Sequence, residues 1–433
     1  MREIGVFICN YNKADMVVKC VQAIRDQTFK DLDIFVVDNA STDDSVEQLT
    51  RIYKDEVTIL QNEENLGGSG GFGRAIRTAL EIGYKYFMLI DNDAFLDSMA
   101  VKYLHDYLEE NAGVGICGAE TLYLQQPDKI QDLGGKLDYE RSQWGGVIGG
   151  LVELPGNIIL ECDYVASCAA MARTSAVRVF GGFPEENFIY WDDIEWCTKC
   201  WKAGYKVVVN GNAKALHDMS QANNQNMFLR YYANRNRYKF FTKYLPEEKL
   251  ETFFQYITEE FFSQNYGAIY KKMYGNAFSL WNALDDFMHG VTGKAAEGKI
   301  VPYSEGEDRL AEYVRGWNKI LIYMPTHTRK DYDALNSVLR YLMKHNQTAE
   351  VLVTFTLEDR VQENYDIVLQ LCEHVTKVKE DILPRVYVDR WENTILDERD
   401  YWYFCNYDKA LENFQKLYWP LFKDRMKELR WKD

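Results

Sequence analysis

Proline is scarce in this chain of 433 residues, with 8 in all, which excludes a proline-rich scaffold or linker. Long apolar runs are also missing. No stretch approaches the ~18 residues that read as a membrane span. Residues 1–10 lead straight into patterned sequence, without the basic, apolar and small-residue succession of a secretory signal. Positive charge is in deficit: 50 Lys and Arg against 66 Asp and Glu leave a net charge of −16. A non-specific nucleic-acid binder needs a basic surface to displace counterions, so no nucleic-acid partner is expected. The nine cysteines are an odd number and lack paired zinc spacing. They read as reduced thiols of a cytoplasmic protein, and Cys197 and Cys200 as buried thiols at i, i+3 of a helix. No GK[ST] phosphate loop exists, and the first strand–helix turn has no glycine, so a dinucleotide fingerprint is absent.

What is present is an ordinary globular composition, 47% hydrophobic and 14% aromatic. The first 118 residues alternate. Continuous apolar runs at 4–9, 33–38, 57–60, 86–90 and 114–117 read as buried strands. Amphipathic segments at 14–25, 43–53, 72–82 and 98–109 read as helices between them. That pattern predicts an α/β fold with a parallel sheet covered on both faces. From 119 to 160 the pattern breaks into a Gly-rich stretch containing Trp144, expected to be mobile or substrate-facing. Order returns with a helix at 192–203, stopped by Gly204, and a strand at 205–209. Residues 224–300 read as helical and aromatic, and a further α/β unit begins near Lys319. The expected organisation is 1–245, a helical region 246–318, and an accessory unit 319–433.

In an open parallel sheet, ligands bind beyond the carboxyl ends of the strands. The ends of the first, second and fourth strands carry short polar groups: Asn10-Tyr11-Asn12, Asp38-Asn39-Ala40-Ser41 and Asp91-Asn92-Asp93. Two carboxylates at i, i+2 repel in a low-dielectric crevice, and a hard divalent cation such as Mg2+ or Mn2+ resolves that repulsion. A helix cap is the competing reading of Asp93. The loop from Asn65 through Gly73 either cradles phosphates or makes a tight connection. Trp191-Asp192-Asp193-Ile194-Glu195 sets three carboxylates at a helix start, where the dipole favours one or two and a general base with its supports accounts for all. His217, at the end of AKALHD, is either a packed histidine or a completion of the metal shell.

The series VFICNYN, VVDNASTDDS, NLGGSGGFGRAI, LIDND, the segment 163–196 ending FIYWDDIEW, and AGYKVVVNGNAKALHD resembles an inverting family 2 glycosyltransferase of the GT-A fold. Within that family it is most similar to bacterial galactofuranosyltransferases and rhamnosyltransferases, over about residues 1–245. The resemblance implies a UDP- or dTDP-sugar donor, with Asp38 on the nucleobase and Asn10, Asn12 and Asn65 around the nucleotide. It implies Asp91 and Asp93 on a Mn2+ or Mg2+ that bridges the diphosphate, His217 on the metal side, and Asp193 as catalytic base. Trp191, Asp192 and Glu195 then face the acceptor, a glycan or a lipid-linked chain at the inner membrane face. The aromatic helical region, with Arg235, Arg237, Lys239 and Lys243 near its start, is the candidate membrane surface, and a helical layer packed on the sheet is the stronger competing reading. A nucleotidyltransferase is an alternative, although its first loop offers only Lys13 to the attacked phosphate. A non-catalytic nucleotide- or glycan-binding protein is another, with Trp144 and Trp191 as sugar platforms.

Overall fold

A computed structural model describes residues 2–145, 158–218, 225–357, 362–378, 385–389 and 393–430. Among these, no helix is long and apolar enough to cross a membrane. The chain divides into two compact units, Met1–Phe253 with Asn282–Pro302 and Arg425–Asp433, and Phe254–Trp281 with Tyr303–Asp424. The expected helical region 246–318 is therefore shared out between them.

In the first unit, β1 (Ile4–Asn10), α1 (Ala14–Arg25), β2 (Leu32–Asp38), α2 (Ser45–Tyr53), β3 (Val57–Gln61), α3 (Gly67–Ile82) and β4 (Tyr86–Asp91) alternate as the pattern predicts. The four strands run parallel in the order β3-β2-β1-β4. Such strands need crossover helices, and α1 supplies one by burying Val17, Cys20, Val21 and Ile24 at helical spacing against Ile4, Val6 and Ile8. On the opposite face Phe7 and Phe35 stack at 4.6 Å between ring centroids, with Tyr84 edge-on.

Past β4 come β5 (Ala94–Leu96), α4 (Ala100–Glu110), β6 (Val114–Tyr123), β7 (Gln126–Asp132), β8 (Lys136–Asp138), β9 (Gln143–Gly145), β10 (Ile159–Cys162), β11 (Ala169–Arg173), α5 (Thr174–Phe180), α6 (Asp192–Lys202), β12 (Lys206–His217) and α7 (Met227–Tyr244). The sheet continues β4-β11-β6-β12-β10. β11, which falls after the 118 residues whose alternation predicts a parallel sheet, lies antiparallel between β4 and β6 because the chain enters it beside the carboxyl end of β4. Much of 119–160 is ordered after all: β6 runs on through Tyr123, and β8 pairs with β9. Gly146, Gly149, Gly150 and the side chain of Trp144 lie outside the described residues.

The helix α3 starts five residues earlier than its apolar pattern suggests, because the glycines of the Asn65–Gly73 loop are themselves helical. A Cβ on Gly71 would meet Cys9 Sγ at 2.4 Å, and one on Gly67 would meet the Phe188 carbonyl oxygen at 2.0 Å. Glycine is required here for close approach, and that packing outweighs its poor helix propensity. Cys197 and Cys200 are buried free thiols on α6, and Gly204, at φ +86°, follows the helix end.

The second unit has its own five-stranded sheet, in the order Glu350–Thr354, Lys319–Tyr323, Ile367–Leu371, Arg385–Val388 and Thr394–Ile395. All but the last strand are parallel. Helix Arg329–His345 opens with a capping box between Thr328 and Asp331.

Candidate active site

The strand order reverses at β1, whose neighbours β2 and β4 are reached in opposite directions. That places a crevice at the carboxyl ends of β1 and β4. Asn92 Nδ2 donates to Asn10 Oδ1 at 2.8 Å across it, and Lys13 Nζ pairs with Asp93 Oδ2. The three polar strand ends are therefore one assembly.

The end of β2 is tied down. Asn10 Nδ2 and the Ser41 hydroxyl donate to Asp38 Oδ1 at 2.9 and 2.6 Å, and Ser41 N–H donates to Oδ2 at 2.9 Å. Asn10 and Asp38 are both buried. Asn12, at φ +49°, accepts from Thr42 N–H at 2.7 Å. Asp43 bridges the starts of two helices, accepting from Ala14 N–H at 3.0 Å and Ser45 N–H at 3.1 Å. Its capping geometry was missed in the sequence, where a run of two aspartates hides which one caps. Asn65 Oδ1 accepts from Gly67 N–H at 2.8 Å, and Ser69 N–H donates to Phe188 O at 3.1 Å. The glycine-rich start of α3 thus spends these two amides inside the protein, so tight packing is its structural role.

Asp91, Asp93 and His217 do come together. After β4 the chain turns into the short β5, which pairs antiparallel with the end of β12 so that His217 lies opposite Ala94. His217 Nε2 stands 3.4 Å from Asp93 Oδ1 and 3.8 Å from Asp91 Oδ2, while its Nδ1 is 2.9 Å from Gln131 Nε2. Ligand atoms of Asp91, His217 and Cys168 all fall within 4.8 Å of one another. Burial, then the adjacent Asp93 charge, pushes the Asp91 carboxyl up to about 6. Burial alone would lower the His217 imidazole, but Cys168 and the Asp93 and Asp91 carboxylates beside it outweigh that and push it up to about 11. Two hard oxygen donors and an imidazole suit Mn2+ or Mg2+. Burial raises the Cys168 thiol, and a protonated thiol is a poor ligand.

The third component is the start of α6. Phe188, Tyr190 and Trp191 all have positive φ, at +68°, +65° and +65°. Such strain persists only where the surroundings hold it. Here Asn236 Nδ2 donates to the carbonyls of Asn187, Ile189 and Tyr190 at 3.0, 2.8 and 3.0 Å, and Arg235 adds a bond to Asn187 O at 3.0 Å. Arg235 and Lys239 are only 2% and 6% exposed, and Lys239 reaches Asn187 Oδ1 at 2.6 Å and Glu195 at 3.5 Å. These cations are not a membrane surface: they face inward, because the unpaired carbonyls of the strained segment and the buried Glu195 need them. Helical periodicity in the sequence does not separate a buried polar face from an exposed one.

Asp193 accepts from Ile194 N–H through Oδ1 at 2.7 Å. Burial, then the charge of Asp192, raises its carboxyl well above the ordinary range, and Asp132 and Asp91 are close enough to add to the effect. Asp192 is buried and accepts from the Ser69 hydroxyl. Trp191 is 4% exposed and packs on Phe240 and Phe241, and Glu195 is 1% exposed between Lys239, Lys243 and Tyr244. Packing and charge pairing, not acceptor contact, are what this arrangement gives Trp191 and Glu195.

Residues 5–141 match the family model Glycosyl transferase family 2. Over 114 residues the chain is 29% identical to a poly(ribitol-phosphate) beta-glucosyltransferase of Bacillus spizizenii, covering 25% of this chain and 18% of that protein. Over 143 residues it is 28% identical to the glycosyltransferase GlyG of Streptococcus pneumoniae, covering 32% and 40%. S. aureus TarS shares 16% identity at a TM-score of 0.44, covering 80% of this chain and 53% of that structure. The chain spans less than half the length of the curated relatives it matches. Residues 5–141, which hold the crevice at the ends of β1 and β4, are thus the part of the chain that is similar to family 2 glycosyl transferases.

Proposed function

We propose that the chain is a metal-dependent, inverting glycosyltransferase that moves a sugar from a UDP- or dTDP-sugar to a glycan or lipid-linked acceptor of a bacterial surface polysaccharide. Galactofuranose or rhamnose is the sugar favoured by the sequence resemblance. The observation that carries the reading is the meeting of Asp91, Asp93 and His217 at the strand reversal, within electrostatic reach of a half-buried Asp193.

In this reading Asp193 Oδ1 is occupied by Ile194 N–H, and Oδ2 takes the proton of the acceptor hydroxyl. The acceptor oxygen bonds to the anomeric carbon as the bond from that carbon to the diphosphate breaks, the electron pair leaves with the diphosphate, and the configuration inverts. A divalent cation, Mn2+ or Mg2+, held by Asp91, Asp93 and His217 supplies neutralisation of the charge developing on the diphosphate. Asp38 and Asn10, buried behind the first loop, hold its shape, and the 43%-exposed ring of Tyr11 offers a planar base a stacking surface. Asn12 and Asn65 shape the rest of the nucleotide pocket, and Asp192 supports the base. The reading places the protein in the cytoplasm, with a lipid-linked acceptor reached at the inner membrane face.

Turnover of a panel of UDP- and dTDP-sugars, with and without EDTA, tests this. The expected result is transfer from at least one donor that EDTA abolishes and Mn2+ or Mg2+ restores. Transfer that is insensitive to EDTA contradicts the metal assignment, and formation of nucleoside triphosphate and sugar 1-phosphate from the donor and added pyrophosphate contradicts the reaction class.

A further inference from the structure

Lys13 stands immediately before α1, and its ammonium pairs with Asp93 Oδ2, while His217 Nε2 lies 3.4 Å from Oδ1 of the same carboxylate. The two oxygens of Asp93 therefore face two nitrogens, the Lys13 ammonium on one side and the His217 imidazole on the other. The Asp93 and His217 side chains are each 10% exposed, whereas that of Lys13 is 34% exposed. Lys13 also lines an open cavity of about 540 Å3 beside Asn12, Asp43 and Asp218, so it has somewhere to go. A lysine is a compact charge on a flexible stem, suited to exchanging one anionic partner for another.

We infer that Lys13 couples the binding of the cation to the binding of the diphosphate, holding Asp93 while the cation is absent and passing to the phosphate oxygens when both ligands are present. The inference rests on the sugar-nucleotide reading above. Two positive charges do not share one carboxylate oxygen cheaply in a partly buried site. A divalent cation arriving alone must break the Lys13–Asp93 pair and leave an ammonium beside a like charge, so it binds weakly. A diphosphate arriving with it brings the anion that the displaced ammonium needs. Each ligand then raises the affinity for the other, and thermodynamic linkage makes the two factors equal. A purely structural ion pair, by contrast, contributes to stability and leaves that factor alone.

The test uses the full chain as wild type, Lys13→Met and Lys13→Arg. Free Mn2+ is followed by electron paramagnetic resonance, with and without UDP or dTDP, whichever the wild type binds more tightly. In Lys13→Met, Mn2+ alone binds several-fold tighter than to wild type, the nucleotide binds more weakly, and the coupling factor falls by about 5-fold or more, within the range typical of coupled sites. Lys13→Arg, which keeps the charge, retains most of the coupling. An unchanged coupling factor in Lys13→Met, with wild-type Mn2+ affinity, overturns the inference and leaves the proposed function standing. A wild type that takes up no Mn2+ under either condition overturns both.

Discussion

The hydroxyl of Ser69 donates to Asp192 Oδ2 at 2.6 Å, joining the glycine-rich start of α3 to the start of α6 across 123 residues of chain. Both side chains are buried, and Asp192 in turn accepts from Asp193 N–H at 3.1 Å. Ser69→Ala leaves a buried carboxylate short of a donor, at a cost of about 1.5–3 kcal/mol for a charge-assisted bond. The expected outcome is a lowered denaturation midpoint and a reduced kcat, with donor affinity close to wild type. Unchanged stability in chemical denaturation would show the bond to be dispensable.

Neighbouring glycines of that helix start have opposite expectations. Gly67 has φ +71° and no room, since an added Cβ falls 2.0 Å from Phe188 O. Gly67→Ala is expected to cost about 3 kcal/mol or more, in the range of severe backbone and overpacking changes. Gly68 is helical with nothing within 4 Å of an added Cβ. Gly68→Ala should therefore stabilise by about 0.5–1 kcal/mol. Denaturant titrations of the pair check both signs, and equal effects would refute the steric account of this loop.

Asn236 carries three carbonyls of the strained segment on one amide nitrogen. Asn236→Asp removes the donors and sets a carboxylate against those carbonyls, whereas Asn236→Ala removes the donors alone. Both should lower stability, the aspartate more, and both should lower transfer more than donor binding because the segment leads into Asp193. Asn236→Ala with wild-type kcat would show that the segment holds its conformation without the clamp.

The folded-state pKa of Asp193 is raised above the ordinary carboxylate value of 3.8, by burial first and the Asp192 charge second. A raised carboxyl contributes its stability fully below 3.8 and loses it as pH rises through the folded value. Asp193→Asn removes that loss, so its melting temperature should match wild type near pH 4 and exceed it at pH 8. The same shift moves the acid limb of the pH–rate profile above the usual carboxylate range, because Asp193 must be ionised to act. An Asp193→Asn protein less stable than wild type at pH 8 contradicts the burial account.

Strand after strand of the first unit was legible because β1, β2 and β4 are buried on both faces and read as unbroken apolar runs. The start of α3 was not, since glycine argues against helix locally, and only the distant contacts of Gly67 and Gly71 explain it. Asp91, Asp93 and His217 were legible as ligand types, but the β5–β12 pairing that unites them spans 120 residues of sequence with no local signal. The inward turn of Arg235 and Lys239 was illegible for a different reason. Their partners are Asn187, which leads into the positive-φ segment, and a buried glutamate, neither of which shows in sequence periodicity.

In the proposed division of labour Asp193 acts on the acceptor while Asp91, Asp93 and His217 act on the donor through a cation. Donor-binding titrations on Asp193→Asn and His217→Ala, at limiting and at excess Mn2+, test it together with transfer assays. Asp193→Asn should bind donor nearly as wild type at both Mn2+ levels while transfer falls by about 10²–10⁴-fold, the usual cost of a lost general base. His217→Ala should bind donor weakly at limiting Mn2+ and recover in part at excess, because the variant loses one ligand and mass action restores occupancy. Loss of donor affinity in Asp193→Asn as severe as in His217→Ala, with no selective loss of transfer, would contradict this division and make Asp193 a structural carboxylate of the α6 start.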